Sequence, residues 1–222
     1  MIKVLKTNKK KRERLAEVIN ILREDYPEAR IQLHYKNDFQ LMVATILSAQ
    51  CTDKRVNLVT KELFRKYPTV YDFSALSQES LEKEIFSTGY YKAKAKHIIA
   101  AARKLIDVFD GKVPGNIDDL LKVPGVGRKT ANVLLGHLYD IPAIVVDTHV
   151  IKIMNRLGIM ETKNAEIIER ELMELIEEKD WVIFTHFMIS HGRAICTARK
   201  PKCQQCRVLH LCPASKEFIM HR

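Results

Sequence analysis

Four of the five cysteines fall in one 17-residue stretch, Cys196, Cys203, Cys206 and Cys212, spaced C-x6-C-x2-C-x5-C. Four thiolates this close in sequence converge on one point, and a soft metal centre is the usual occupant. Zinc sites more often pair two C-x2-C arms across a longer gap. Here only Cys203 and Cys206 form such an arm. The wider loops to Cys196 and Cys212 suit the larger cube of a [4Fe–4S] cluster, with zinc as the alternative. Two disulfides of a secreted domain would need an export signal, and Met1–Leu15 is basic with no apolar centre. The fifth cysteine, Cys51, follows an apolar helical pattern and reads as a small buried hydrophobe.

A second constellation is Leu120-Leu121-Lys122-Val123-Pro124-Gly125-Val126-Gly127-Arg128-Lys129-Thr130-Ala131. A helix runs into Pro-Gly-Val-Gly and another begins at once. Two glycines so close let the backbone turn tightly and approach a ligand without side-chain bulk. The turn presents free N–H groups at a helix start, which is an anion site. This is the helix-hairpin-helix pattern, which holds a DNA phosphate without reading bases. Gly-x-Gly alone would equally mark an ordinary helix–helix turn. Lys129 sits in the first turn of the second helix. The positive end of the helix dipole, and burial, both disfavour an ammonium there. A neutral amine can attack an electrophilic carbon and form a Schiff base. On this segment alone, a phosphate contact or a solvated lysine explains Lys129 as well. Further on, Ile144-Val145-Val146-Asp147-Thr148-His149-Val150 puts one carboxylate directly after an apolar run, at a helix start. Asp147 reads as an N-cap. It can also turn outward to stabilise a cationic sugar or position a nucleophile. Sequence spacing does not set Asp147 opposite Lys129; only the fold can.

The elements that must position these groups are helical nearly throughout. Leu15, Val18, Ile19 and Leu22 recur at helical spacing, ending before Pro27. Phe39–Gln50 predicts a deeply buried helix. Val56, Val59, Leu63 and Phe64 form the next stripe, stopping before Pro68. Leu81, Ile85 and Phe86 predict a short helix that ends near Gly89, and Ala93–Val108 a strong one. Asn116 with Asp119 reads as a cap with a reciprocal acid. Helices from Thr130, Thr148, Asn164 and Trp181 follow. Ile141–Val146 contains Pro142 and has no pairing partner, so it reads as a loop. Helix signals lapse at Asp140-Ile141-Pro142, a candidate domain boundary; Lys112–Gly115 is a weaker one.

The 222 residues carry 37 Lys and Arg against 27 Asp and Glu, a net charge of +10 that favours a polyanionic partner, nucleic acid before membrane. Part of the excess is a basic head, Lys3 to Arg14, that serves as readily for a solvated tail as for a binding arm. The mostly apolar run Leu41–Leu47 is far short of the ~20 residues of a membrane span. The expectation is a soluble protein in a reducing compartment, with cysteines used as ligands.

Taken in order, Leu-Ser-Ala-Gln (47–50), Val-Pro-Gly-Val-Gly-Arg-Lys-Thr-Ala-Asn (123–132), Val-Asp-Thr-His (146–149), His-Gly-Arg (191–193) and the four-cysteine loop closely resemble the endonuclease III family, DNA glycosylases of the helix-hairpin-helix superfamily. The resemblance covers about residues 10–213. It implies an all-α, two-domain fold with a DNA-binding cleft between the domains. A six-helix domain would span 31–140, and 1–30 plus 141–222 would form the iron–sulfur domain. It implies a bifunctional DNA glycosylase and AP lyase of base excision repair. Such an enzyme flips an oxidised pyrimidine out of the duplex, displaces it with Lys129 at C1′, and nicks the strand 3′ to the lesion by β-elimination. Asp147 would help activate Lys129 and support positive charge at the sugar. Cys196, Cys203, Cys206 and Cys212 would hold a [4Fe–4S] cluster that is structural, fixing Arg199, Lys200 and Lys202 against phosphates. Gly125, Val126, Gly127, Arg128 and Arg193 would also contact DNA. Gln50 matches a residue that fills the gap left by the flipped nucleotide. Where well-known members have a leucine after the neighbouring glycine, this chain has Tyr90. An aromatic ring can also wedge and stack, although opposite-base preference is left open. His149, His191 and Trp181 read as packed residues. The partner would be double-stranded DNA with damaged pyrimidines or abasic sites. The protein would be a monomer that binds no membrane, in a prokaryotic-like, nucleoid-associated cytoplasmic setting.

Three rivals use the same residues. Glycosylases for adenine or mismatched thymine also carry the cluster, but they generally lack a lysine at the position of Lys129. A non-catalytic DNA-binding module would not need Lys129 and Asp147. An iron–sulfur electron carrier has no use for the basic charge and the hairpin.

Overall fold

Side-chain caps set where most helices begin. Thr7, Asn37, Thr52, Thr69, Ser77, Asn116, Asp147 and Asn164 each accept a backbone N–H two or three residues on. The computed structural model describes residues 4–219, so Lys3 of the basic head lies outside the described residues. Within them all regular structure is helical: α1 (Asn8–Asp25), α2 (Asp38–Leu47), α3 (Asp53–Lys66), α4 (Val70–Ala75), α5 (Gln78–Ile85), α6 (Tyr91–Phe109), α7 (Ile117–Leu120), α8 (Arg128–Leu138), α9 (Thr148–Arg156), α10 (Ala165–Leu175), α11 (Trp181–Ala194) and α12 (Ser215–Ile219). The chain divides into two compact units, Gln32–Ile141 and a discontinuous one that joins the chain up to Ile31 with the chain from Pro142. No described helix is long and apolar enough to cross a membrane.

In the unit 32–141, α2 is the central element. Every residue from Phe39 to Leu47 is buried. Its polar members are satisfied: Thr45 Oγ1 donates to the Leu41 carbonyl at 2.8 Å and Gln40 Nε2 to the Pro68 carbonyl at 3.2 Å. α3, α6 and α8 pack on α2, while α4 and α5 pack on α6. Each fully buried Leu or Phe here, such as Leu41, Leu47 and Phe73, contributes about 1.5–3 kcal/mol.

Four details differ from the sequence expectations. α2 stops at Leu47, because Gln50 adopts a left-handed conformation (φ 52°) and Thr52 already caps α3. Cys51 is accordingly not on a helix but half-buried in the turn between α2 and α3. α8 begins at Arg128 rather than Thr130, since Gly127 is extended and serves as its N-cap. The unit holds seven α-helices and not six. The short α4, fixed by a capping box between Thr69 and Asp72, has too little length to leave a periodic signal.

In the other unit, α1 lays Leu15, Val18, Ile19 and Leu22 into a core with Val150, Ile153, Ile168, Leu172, Phe184 and Met188. Polar contacts pin the same helix at long range. Arg12 Nη2 donates to the Glu174 carbonyl in the last turn of α10 (2.9 Å), and Arg23 pairs with Asp180 (2.7 Å). The segment Ile141–Val146 has no regular structure, although Ala143–Val146 is buried. Thr185 of α11 serves its backbone instead: Oγ1 accepts from Val145 N–H at 3.1 Å and donates to the Val145 carbonyl at 3.2 Å.

Candidate functional site

The hairpin lies in the unit 32–141. Asn116 starts α7: its Oδ1 accepts from Asp119 N–H, and its Nδ2 donates to Asp119 Oδ2. The chain then turns through Val123–Gly127 into α8. Gly125 has φ +79°, and a Cβ there would lie 2.8 Å from Cβ of His97, so the free fold itself demands glycine. Gly127 is different. Its φ is −92°, and a Cβ added there meets nothing within 4 Å. The room above it is open to an approaching backbone. Ala131 N–H makes the first intrahelical bond, to the Gly127 carbonyl at 2.9 Å, so the preceding N–H groups have no partner within α8. Arg128 and Lys129 are both exposed.

Two expectations need correction here. Burial does not act on Lys129 in the free protein, because the residue sits on the outer face of the first helical turn. Val126 offers neither side chain nor amide. Its side chain is buried, and its N–H donates to the Val123 carbonyl at 3.1 Å to close the turn.

Two further turns of the same unit carry Gln50 and Tyr90. Both are exposed, Tyr90 to 67%, and both are left-handed, with φ of 52° and 50°. Non-glycine residues in that region are strained by about 1 kcal/mol or more and cluster at functional sites. Phe86, just upstream, is 64% exposed and packs at a tilt against Tyr91, with ring centroids 4.8 Å apart. The spacing of Leu81, Ile85 and Phe86 predicts a helix that includes Phe86, but the α-helix ends at Ile85 and Phe86 opens the short 3-10 turn before Gly89. Lys94 was also missed. It is buried to 5% exposure, and its place one turn before Ile98 on the buried face of α6 was the available clue.

The second unit holds Asp147 and the cysteines. Asp147 is half-buried at the start of α9, and Oδ1 alone takes both cap bonds, from His149 N–H (2.8 Å) and Val150 N–H (2.9 Å). Oδ2 takes no part in the cap. The four cysteines all line one apolar cavity, walled by Ile153, Leu157, Ile195 and Val208. Burial pushes the Cys206 thiol up to about 11 and raises Cys212 too, so both sulfurs stay protonated unless a cation holds them. Polar groups face the sulfurs: Arg156 Nη1 donates to Cys196 Sγ at 3.1 Å, and His191 Nε2 lies 3.7 Å from Cys206 Sγ. Among the described residues no three Cys, His, Asp or Glu side chains are grouped as ligands of a single ion. Four thiols spread around one cavity fit a larger multi-iron group.

Arg156, which the sequence reading passed over, also holds the loop after Cys196. Its guanidinium donates to the Thr197 and Ala198 carbonyls, each at 2.8 Å, and stacks over Phe218. Lys202 N–H bonds the Ile195 carbonyl at 2.9 Å, and Thr197 Oγ1 the Lys200 carbonyl at 2.7 Å. Arg193, Arg199, Lys200 and Lys202 are exposed around this braced segment. His191 is buried, with its pKa pushed down to about 4 by burial, and Gly192 leaves no room for a Cβ, which would meet His149 Nδ1 at 2.2 Å. Trp181 packs against the core and donates to the Ile176 carbonyl at 3.0 Å.

A helical hairpin with a lysine at the following helix start, and a separate four-cysteine cavity, define a class of DNA repair enzyme. Residues 43–178 match the HhH-GPD superfamily base excision DNA repair protein, and residues 196–212 match the iron-sulfur binding domain of endonuclease III. Endonuclease III of Synechocystis is 46% identical over 217 residues, covering 97% of this chain and 99% of its own. A solved non-covalent endonuclease III–DNA complex shares 42% identity and a TM-score of 0.91, over 95% of this chain and 99% of that one. A trapped endonuclease III–DNA covalent intermediate matches with 42% identity, the same coverage and a TM-score of 0.90. The chain belongs to the endonuclease III family. It is a DNA N-glycosylase and AP lyase of base excision repair, with DNA as its partner and a [4Fe–4S] cluster as its cofactor.

Proposed function

We propose that Lys129 is the nucleophile and that oxidised pyrimidines and abasic sites in duplex DNA are its targets. One observation carries this reading: an exposed lysine in the first turn of α8, directly after the Gly125-Val126-Gly127 turn. A primary amine placed there, open to the solvent side, can reach an electrophilic carbon and form a Schiff base. Lys129 Nζ attacks C1′, the glycosidic bond breaks, and the base leaves with the bonding pair and a proton. The amine nitrogen's lone pair then forms the C1′=N bond as C1′–O4′ breaks, O4′ takes a proton from solvent, and the opened sugar is held as a protonated Schiff base. Loss of a C2′ proton then breaks the C3′–O bond, and the 3′ phosphate departs. Water releases Lys129 from the imine.

Asp147 supports the positive charge that develops on the sugar, and its uncapped Oδ2 is the oxygen suited to that work. Gln50 and Tyr90, exposed on strained turns, fill the space vacated by the flipped nucleotide. Gly125, Gly127 and Arg128 hold phosphate at the hairpin; Val126 contributes shape only, its N–H being engaged. Cys196, Cys203, Cys206 and Cys212 hold the cluster. When bound, the cluster supplies four Fe–S links that close the loop on itself. Arg193, Arg199, Lys200 and Lys202 are then phosphate contacts on a rigid support. A monomer in the nucleoid-bearing cytoplasm, bound to no membrane, suits the +10 charge.

Borohydride trapping tests the reading. Wild-type protein should form covalent adducts with duplexes carrying an abasic site or thymine glycol, and Lys129→Gln none, while retaining affinity. Adducts at the wild-type rate in the variant would mean another nucleophile. Trapping of uracil or mismatched thymine as fast as thymine glycol would displace the oxidised-pyrimidine assignment.

A further inference from the structure

Lys94 is a lysine in an unusual place. It lies in the first turn of α6, is 5% exposed, and binds backbone oxygens and not a carboxylate. Its Nζ donates instead to two backbone carbonyls, Leu47 at 2.8 Å and Thr88 at 2.8 Å. Burial lowers its pKa, partly opposed by the nearby Cys51 thiol. The two carbonyls belong to different segments. Leu47 is the last residue of α2, three before Gln50. Thr88 closes the short 3-10 turn after α5, two before Tyr90. Both Gln50 and Tyr90 are left-handed and exposed, a conformation that persists only where surrounding structure enforces it. Burying an ammonium is unfavourable, so a simple core position would have taken an apolar residue.

We propose that Lys94 is a positioning residue that ties the Gln50 turn to the Tyr90 turn, so that the two side chains enter the duplex as one unit. The inference rests on the reading of Gln50 and Tyr90 as the groups that fill the vacated space. Neither Gly89 nor the helix start at Tyr91 would hold that spacing alone. Tyr90, the N-cap of α6, has no side-chain cap bond, and a Cβ on Gly89 would meet nothing within 4 Å.

The test is a double-mutant cycle on the full-length holoenzyme. Lys94→Met keeps the apolar stem and removes the donors. Its affinity for a duplex with an abasic analogue should fall by about tenfold in the native background, and by less than about twofold in a Gln50→Ala/Tyr90→Ala background. Borohydride trapping on single-stranded abasic DNA, which has no opposite strand to wedge, should proceed at the native rate. Lys94→Gln, which retains a donor but reaches only one carbonyl, should be intermediate and serves if the methionine variant does not fold. Equal losses in both backgrounds, slowed single-strand trapping, or an unchanged duplex affinity would overturn the proposal. Native affinity in the Gln50→Ala/Tyr90→Ala protein itself would instead sink the reading of those two residues, and the proposal with it.

Discussion

A carboxylate that caps a helix with one oxygen leaves the other outside the cap, and Asp147 is such a residue. Oδ1 takes the His149 and Val150 amides. Asparagine keeps a carbonyl oxygen for those amides and caps about as well as aspartate, yet carries no charge. Asp147→Asn should therefore slow base excision by roughly 100-fold, the usual size of a positioned acid–base effect. Its melting temperature should stay close to that of the native protein. Single-turnover excision alongside a thermal melt checks both, and a large drop in melting temperature would return Asp147 to a purely structural role. At this scale the sequence was most legible where the geometry is local. The charged residue after Ile144-Val145-Val146 marked the cap of α9, and the two glycines marked the turn before Lys129. Arg156 was not legible, because the carbonyls it binds lie 41 and 42 positions away, and for Lys94 the helical spacing marks a buried place but not the Leu47 and Thr88 carbonyls it binds.

At the scale of the element, the two hairpin glycines make opposite predictions. Gly125→Ala puts a methyl group against His97 and a side chain at φ +79°, and should lower stability by about 1–3 kcal/mol. Gly127→Ala meets open space at an ordinary φ, so the fold should barely notice it. Its affinity for duplex DNA should nevertheless drop, because the methyl group would stand where a phosphate backbone approaches. Denaturant melts and duplex titrations on both variants check the contrast; equal destabilisation would mean that Gly127 is also a packing glycine. Helix caps were the most legible elements, as at Asn116 and Asn164, since a cap is a local contact two or three residues long. Helix ends were less so. α2 stops three residues short of the apolar pattern because Gln50 must turn left-handed, and nothing in the glutamine side chain signals that. Gln50 was nonetheless picked out by resemblance, which carries positional information that periodicity lacks.

For the whole molecule, charge is the first determinant of behaviour. With a net charge of +10, affinity for any duplex should fall steeply with salt. Lys200 is exposed on a segment braced by Arg156, Thr197 and the Lys202 amide, so its charge is held in place. Lys200→Ala should weaken binding to damaged and undamaged duplexes alike and flatten the slope of log K against log salt by about one. Salt titrations on matched duplexes check this; loss confined to the lesion duplex would show that Lys200 does not act through phosphate. The division of the chain has a further consequence, one of timing. α1 is anchored by residues far along the chain: Arg12 reaches a carbonyl 162 positions away and Arg23 a carboxylate 157 away. During synthesis, then, the apolar face of Leu15, Val18, Ile19 and Leu22 leaves the ribosome long before α10 and α11 exist to cover it. Residues 32–141 form one compact unit from a single stretch of chain. The nascent chain therefore carries the apolar face of α1 uncovered while the hairpin unit is being made.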